Sequence, residues 1–324
     1  MKIAILGAGM TGAYLYRLLQ TRACDIKLFD QEPKTRCGLT PCAWGTSRGF
    51  QELVQAAGLE PSKYILKHFD YVLMDGLKIK ADLMTFDKPG LIKDLLQGAE
   101  INQGAPDRRQ YDRTIDSTGV SRTLLPPIRD DILLPCIQYR IKSEAPFDNQ
   151  IKLGGIGYAW CFPLSDREYH IGCGSLLDDP HQIIKTLGWV GNNDPTRTRL
   201  CACGGRIRLT GPHLAQPFVT RDESGEIWGV GEAIGCVAPL AGDGIVPGMR
   251  SVQLLIKWWD DAAGYARAVL KEFHWMKDER RVIDKLRKRQ DLGLKEAWVL
   301  KKNSRRMGMQ VGLREAALLL KHLR

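Results

Sequence analysis

The sequence predicts an α/β protein made of two interleaved units followed by a helical C-terminal tail. Three observations predict it. A glycine-rich turn sits between a strand-like run and a helix-like run near Gly7. A second strand, glycine turn and helix come back near residue 226. Between them, short runs alternate apolar and polar residues as half-buried strands do. The 324 residues are 44% hydrophobic and 26% charged, ordinary proportions for a globular chain. That length suits one large or two small domains.

Lys2-Ile3-Ala4-Ile5-Leu6 is a short apolar run suited to a buried parallel strand. Gly7-Ala8-Gly9-Met10-Thr11-Gly12 follows, then the helical Ala13–Leu19, then a second strand-like run from Asp25 to Phe29 that ends at Asp30. Gly7 permits a tight turn, Gly9 lets backbone approach a pyrophosphate, and Gly12 lets helix and strand pack closely. The helix N-terminus offers unpaired N–H groups and a positive dipole end to phosphate. Asp30 lies 18 residues after Gly12, where an acid accepts from ribose hydroxyls. This is a Rossmann-type dinucleotide unit. An acid at position 30 disfavours a 2′-phosphate and so NADP; these residues leave FAD and NAD both open.

Residues 64–85 and 133–176 contain strand-like segments, among them Tyr139–Lys142, Ile151–Leu153 and Glu168–Ile171, punctuated by Gly154, Gly155, Gly157 and Pro163. They predict a mixed sheet laid over the nucleotide site as a substrate unit. The chain then leaves the nucleotide unit and returns more than once. Expected boundaries are 1–63 with 87–130 and 204–260 for the nucleotide unit, 64–86 with 131–203 for the substrate unit, and 261–324 for the tail. At the return, a strand from Ile227 to Val230 runs into Gly231-Glu232-Ala233, and a loop with Pro239 and Gly242-Asp243-Gly244 leads to a helix from about Ile245 to Trp259. An acid just past a strand can hold ribityl or ribose hydroxyls, and glycines at a helix start let N–H groups approach an electron-rich ring edge.

The formal charge of +10 is concentrated. From Lys271 onward, 54 residues hold sixteen Lys or Arg and seven Asp or Glu; the preceding 270 hold 31 and 30. A near-neutral body argues against a nucleic-acid-binding core. No apolar run reaches the roughly 18 residues of a membrane span, and no cleavable signal is visible. Nine cysteines without a secretory signal read as free thiols of a cytoplasmic protein. Cys201 and Cys203 lack a second pair or nearby histidines, and the six histidines show no ligand spacing, so no metal site is expected.

On these residues the chain resembles the geranylgeranyl reductase family, within the p-hydroxybenzoate-hydroxylase-like FAD enzymes. Gly231-Glu232-Ala233-Ile234-Gly235 followed by Pro239-Leu240-Ala241-Gly242-Asp243-Gly244-Ile245 resembles that family's G-D-A-A-G and P-x-x-G-x-G-I, with Glu for Asp. Arg36-Cys37-Gly38-Leu39-Thr40 resembles its R-C-G-x-G loop, with Thr40 replacing a glycine. Asp87-Lys88 and the following residues resemble D-R-x-x-F-D-x-x-L, with Lys88 where the family has Arg. Asp116-Ser117-Thr118-Gly119-Val120-Ser121 resembles D-A-T-G-x-S. Gly157-Tyr158-Ala159-Trp160-Cys161-Phe162-Pro163, with His170–Gly174, resembles the family's Y-x-W-x-F-P and V-G-x-G element. The resemblance covers about residues 1–260. Between Gln97 and Asp112 this chain is shorter than that family's pattern.

The resemblance implies FAD held by Gly7, Gly9, Thr11, Gly12, Asp30, Cys37, Gly38, Thr40, Lys88, Gly119, Glu232, Pro239, Gly242, Gly244 and Ile245. It implies reduction of C=C bonds in a polyprenyl chain, with Tyr158, Trp160 and Phe162 on the substrate and Cys37, Tyr158 or Trp160 at the chemistry. Cys37 reads either as a group beside the flavin or as a small packing residue; Tyr158 and Trp160, alternating on one strand, read as a pocket wall or as core. No second G-x-G-x-x-G is present, so the electron donor is expected to be transiently bound NAD(P)H or a ferredoxin. The tail reads as a helical cap, as a peripheral contact with anionic membrane on the inner face, or as both. A flavin hydroxylase or halogenase on the same scaffold, and a degenerate flavoprotein that binds lipid or a partner, are the other readings.

Overall fold

In a computed structural model, residues 1–31, 42–190 and 196–323 are described. The chain opens with β1 (Lys2–Leu6), α1 (Met10–Leu19) and β2 (Asp25–Asp30), the βαβ start that the glycine turn demands. β3 (Gly45–Thr46) and α2 (Phe50–Ala56) lead to a long hairpin, β4 (Ile65–Met74) and β5 (Leu77–Phe86). Its two turn residues, Asp75 and Gly76, both have positive φ, as a tight twisted hairpin requires. α3 (Lys88–Leu95) starts where the Asp87 side chain accepts from Gly90 N–H, with proline in its first turn. β6 (Ile101–Gln103) and β7 (Arg113–Asp116) return to the first sheet.

The chain then builds β8 (Leu133–Ser143), β9 (Gln150–Leu153), β10 (Tyr158–Pro163), β11 (Glu168–Gly174), α4 (Pro180–Thr186) and β12 (Arg197–Arg208). It goes back once more for β13 (Val219–Asp222), β14 (Gly225–Gly229) and α5 (Ile245–Lys257), and finishes with α6 (Ala262–Glu272), α7 (Met276–Arg287), α8 (Leu294–Arg306) and α9 (Leu313–His322). A six-stranded sheet runs β13-β14-β7-β1-β2-β6, and an eight-stranded sheet runs β12-β8-β11-β10-β9-β4-β5-β3. In the first, β14, β7, β1, β2 and β6 are parallel, with β13 antiparallel at the edge. The burial of β1 is nearly continuous, as a parallel strand covered on both faces needs.

One core surrounds the six-stranded sheet, and each face of the eight-stranded sheet has its own. Ile3, Leu15, Leu19, Leu28, Trp228, Met249 and Tyr265 belong to the core around the parallel sheet. One face of the eight-stranded sheet packs against α7, α8 and α9 through Val72, Met74, Ile151, Ile283, Leu300 and Leu319. The other face, with Ile137, Ile171 and Cys173, is covered by α4 through Ile184.

Two sequence expectations are corrected. The boundary expected between 203 and 204 falls inside β12, which pairs with β8 without ending there, Gly204 and Gly205 included. The tail is also not one unit. In α6, Tyr265 and Val269 are fully buried in the first core, and the Tyr265 hydroxyl donates to Gly229 O at 2.7 Å. Helices α7 to α9 belong to the second core and are stitched to its sheet by backbone bonds: Asp82 N to Gly308 O at 2.8 Å, Gln310 N to Lys80 O at 2.8 Å, and Ile156 N to Leu323 O at 3.1 Å. Charge grouped these helices in the sequence, but buried apolar stripes divide them in the fold.

Candidate functional site

A cleft of about 540 Å³ is bounded by both sheets and by the tail. Its nucleotide end is formed by the turn after β1. Gly7 has φ 106°, and a Cβ at Gly12 would lie 1.9 Å from Gly7 O, so the helix can start only with glycine there. Gly12 therefore sits behind the turn, whereas Gly7, Gly9 and Thr11 line the cleft. A Cβ built at Gly9 would meet nothing within 4 Å, and α1 has neither a side-chain cap nor an acid in its first turn. Open space before free helix N–H groups is what a phosphate needs. Asp30, at the end of β2, lines the same cleft.

The buried Lys88 lines the cleft too, within electrostatic reach of Glu232 but, among the described residues, in no close ion pair. A buried cation needs an anionic or polar partner, and these residues fit a bound diphosphate. The Ser117 hydroxyl contacts Leu6 O at 2.9 Å and Gly7 O at 2.7 Å, tying β7 to the turn. Asp116, fully buried, accepts from Thr118 N, Thr118 Oγ1, Leu124 N and Leu125 N at 2.7–3.1 Å. That fixes the following turn, where Gly119 (φ 62°) reaches the cleft.

Glu232 lies on the cleft. Its Oε1 accepts from Arg208 N at 2.7 Å, and its Oε2 lies against Gly119. Burial pushes its carboxyl above the ordinary range. Arg208 also donates to Glu232 O at 2.8 Å and Val120 O at 2.8 Å and pairs with Asp131, clamping the two turns together. Gly242, Gly244 and Ile245 line the cleft; Pro239 instead lines a small adjoining hollow with Ile283 and Leu286. At the start of α5 the structure differs from the expectation of bare amides: Ile245 N–H donates to Asp243 Oδ1 at 3.0 Å. Ser47 Oγ donates to Asp243 Oδ2 at 3.3 Å. A carboxyl thus caps this helix start, and burial raises its pKa.

The other end of the cleft is roofed by β10. Tyr158 and Trp160 line it together, ring centroids 5.7 Å apart, with Phe162 beside them. The Tyr158 hydroxyl donates to Ala241 O, and burial raises its pKa. The Trp160 indole lies over Gly172, where a Cβ would be 2.2 Å from it; the glycine in the β11 segment makes room for the ring. Four buried polar atoms on the cleft have no hydrogen-bond partner: Thr46 Oγ1, Gln138 Oε1, Trp160 Nε1 and Asn303 Oδ1. Unsatisfied buried groups are costly, and their gathering on one cavity marks a ligand site. Beyond Trp160 the cleft runs into an apolar arm between the sheet and α8.

Cys37, Gly38 and Thr40 lie outside the described residues. Cys42 lines the cleft, whereas Cys161 and Cys173 are buried in the α4-side core. Among the described residues no cluster of His, Cys, Asp and Glu could hold a metal. Sequence reasoning missed Ser117, Arg208, Asp243 and Asn303. Asp243 stood inside a quoted motif as a variable position, and Ser117 stood where the quoted motif has alanine. Arg208 carries no local signal because its partners lie far away in the chain, and Asn303 carries none because the cleft it lines is built from distant strands.

No family model matches the chain. A protein of Methanocaldococcus jannaschii described as uncharacterized is 24% identical, over 80% of this chain and 83% of its own. Among solved structures, a geranylgeranyl bacteriochlorophyll reductase-like protein of Thermoplasma acidophilum superposes with TM-score 0.70 at 15% identity, covering 88% of this chain and 87% of that one. A tryptophan 6-halogenase of Streptomyces toxytricini superposes with TM-score 0.66 at 14% identity, covering 99% and 90%. At these identities the likeness establishes architecture: the chain has the α/β fold of Rossmann-type FAD-binding flavoproteins.

Proposed function

We propose that the protein is an FAD-dependent oxidoreductase that reduces isolated C=C bonds in a polyprenyl chain. One observation carries the reading: a single cleft joins a glycine-turn nucleotide site to an arm walled by aliphatic and methionine side chains. Gly7, Gly9 and Thr11 would receive the pyrophosphate, with Lys88 as counter-charge, Asp30 the adenosine ribose, and Glu232 the ribityl hydroxyls. Gly119 and Gly244 would approach the cofactor through backbone, and Ile245, whose N–H is held by Asp243, would line the site beside them. When bound and reduced, FAD supplies a hydride to one alkene carbon.

The chain's own residues do the rest. An alkene is not polarised, so both carbons must be held in place. Trp160, packed against Gly172, and Phe162 offer apolar surface for that. Tyr158 orients the 239–242 loop by donating to Ala241 O. Cys42 lines the cleft, and Cys37 stays a candidate proton source. No nicotinamide-binding unit is assigned, so NAD(P)H would bind transiently or a ferredoxin would donate electrons. The exposed side of α8 and α9 presents Leu294, Trp298 and Leu318 among Lys295, Lys301, Lys302 and Lys321, chemistry suited to an anionic bilayer that holds the substrate. No helix among the described residues is long and apolar enough to cross a membrane.

The test is direct. Purified protein should show, or acquire with FAD, a flavin spectrum. After dithionite reduction it should add two mass units per double bond to a geranylgeranyl lipid. A colourless protein that cannot be reconstituted would sink the reading. The likeness to a halogenase fold favours a second one, an oxygen-dependent hydroxylase or halogenase. Oxygen-coupled NAD(P)H consumption giving hydroxylated or halogenated product, without saturated product, would establish it instead.

A further inference from the structure

Helix α8 brings one polar side chain into the apolar arm. Its inward face presents Leu300, Asn303, Ser304 and Met307 to the cleft. Ser304 Oγ donates back to Leu300 O at 2.9 Å and is satisfied within the helix. Asn303 is not: its side chain is 4% exposed, and its Oδ1 has no hydrogen-bond partner. Lining the same cavity are apolar groups, among them Met74, Leu83, Ile151, Leu153 and Leu323. A buried carboxamide left unpaired lowers the stability of the free protein, and leucine would fill the same place without that cost. Such a group is accounted for when a ligand supplies the missing partner.

Charge restricts what that partner is. The basic residues on the cleft are Lys88 and Arg206. Lys88 opens α3 and interacts with Glu232 and His170, at the nucleotide end. Arg206 is on β12, four strands from β9 in the sheet order, which is roughly 19 Å at ~4.8 Å per strand. No described cation lines the α8 side of the arm. A diphosphate carried there would be desolvated without a counter-charge. An unpaired amide oxygen asks instead for an uncharged donor.

We propose that Asn303 is a substrate-binding residue, and that its amide accepts the hydroxyl of an uncharged hydroxylated polyprenyl lipid. The inference rests on the polyprenyl reading of the cleft and narrows its head group. The full-length protein, loaded with FAD, is titrated with three probes of equal chain length: geranylgeraniol, geranylgeranyl diphosphate and the corresponding hydrocarbon without oxygen. Binding is followed by tryptophan fluorescence. Geranylgeraniol should bind about tenfold tighter than either other probe, the size of effect expected of one hydrogen bond in a dry site. Asn303→Leu should bring geranylgeraniol down to the hydrocarbon's affinity and leave the hydrocarbon unchanged. It should also melt at a higher temperature than the parent, which a structural amide would not allow.

A retained alcohol preference in Asn303→Leu, tightest binding of the diphosphate, or a lower melting temperature of the variant overturns the proposal. If all three probes bind alike, Asn303 has no such role while the polyprenyl reading stands. If none binds, both fall.

Discussion

The Ser117 hydroxyl holds the nucleotide turn from behind. It contacts the carbonyls of Leu6 and Gly7, so Ser117→Ala leaves two buried acceptors with less than their full set. Expected is a loss of about 1–3 kcal/mol in urea unfolding, together with weaker FAD binding; a loss of stability with unchanged cofactor affinity would separate the turn from the cofactor. Glu279 is a second case. Fully buried on α7, it accepts from Leu240 N at 3.3 Å and from Arg306 at 3.2 Å, and desolvation pushes its pKa from 4.5 to about 8. Between those values the folded state binds more protons than the unfolded one, so this group's contribution falls as pH rises. His170 runs the other way: burial lowers its pKa from 6.5 to about 3, so its contribution rises with pH across that window. The two oppose one another from 4.5 to 6.5, and above 6.5 Glu279 acts alone of the pair. Urea midpoints at pH 6.5 and 8 should therefore fall in the parent and flatten in Glu279→Gln; an equal fall in both would show that Glu279 is ionised throughout.

At the scale of elements, α8 has two faces with different tasks. Leu300, Asn303 and Met307 wall the cleft, and Trp298 points outward, half exposed, with Lys301 and Lys302 over its ring at 5.2 and 5.6 Å. Truncation before Trp275 removes the helices that cover Met74 and Ile151. It should give a protein that exposes apolar surface to a hydrophobic dye and melts far below the parent. The double substitution Leu294→Glu with Trp298→Glu changes only exposed positions and should leave melting within about 1 °C, surface changes being within about 0.5 kcal/mol. It should weaken sedimentation with phosphatidylserine vesicles about tenfold or more; unchanged sedimentation would leave α8 as wall alone. The periodicity of these helices and their basic surface were legible in the sequence. That one face closes the cleft was not, because it depends on 308–310 pairing with β5 more than 200 residues earlier.

For the whole molecule, the cleft exists only when both sheets and the tail are assembled, so cofactor binding should report on global stability. FAD at one hundred times its Kd should stabilise the apoprotein by about 2.7 kcal/mol, seen as a rise in melting temperature that NAD does not reproduce. Lys88→Met removes a buried cation that has no close ion pair among the described residues, so the variant should be no less stable without FAD yet gain less from it. A variant that gains as much as the parent would show that the diphosphate is held by backbone alone. Of the site, the glycine turn, Asp30, Glu232 and the α5 start were legible because each is set by a few adjacent residues. Gly12 was read both as a packing glycine and among the residues holding the cofactor, and the fold packs it against Gly7 O behind the cleft; Pro239 was not separable from its neighbours, and only the fold turns it toward Ile283 and Leu286.

The sequence by itself determined the α/β class, the nucleotide end of the cleft and the confinement of positive charge to the last helices. Those features follow from short-range rules: glycine conformations, helix starts, and the periods of two and 3.6 that bury one face. Only the tertiary structure decided that the tail divides between two cores, that Ser47 meets the Asp243 carboxyl at the start of α5, and that Asn303 shares one cavity with Met74, Ile151 and Leu153. These outcomes depend on contacts between residues tens to hundreds of positions apart. Such contacts are fixed by how buried surfaces fit together, which no local pattern records.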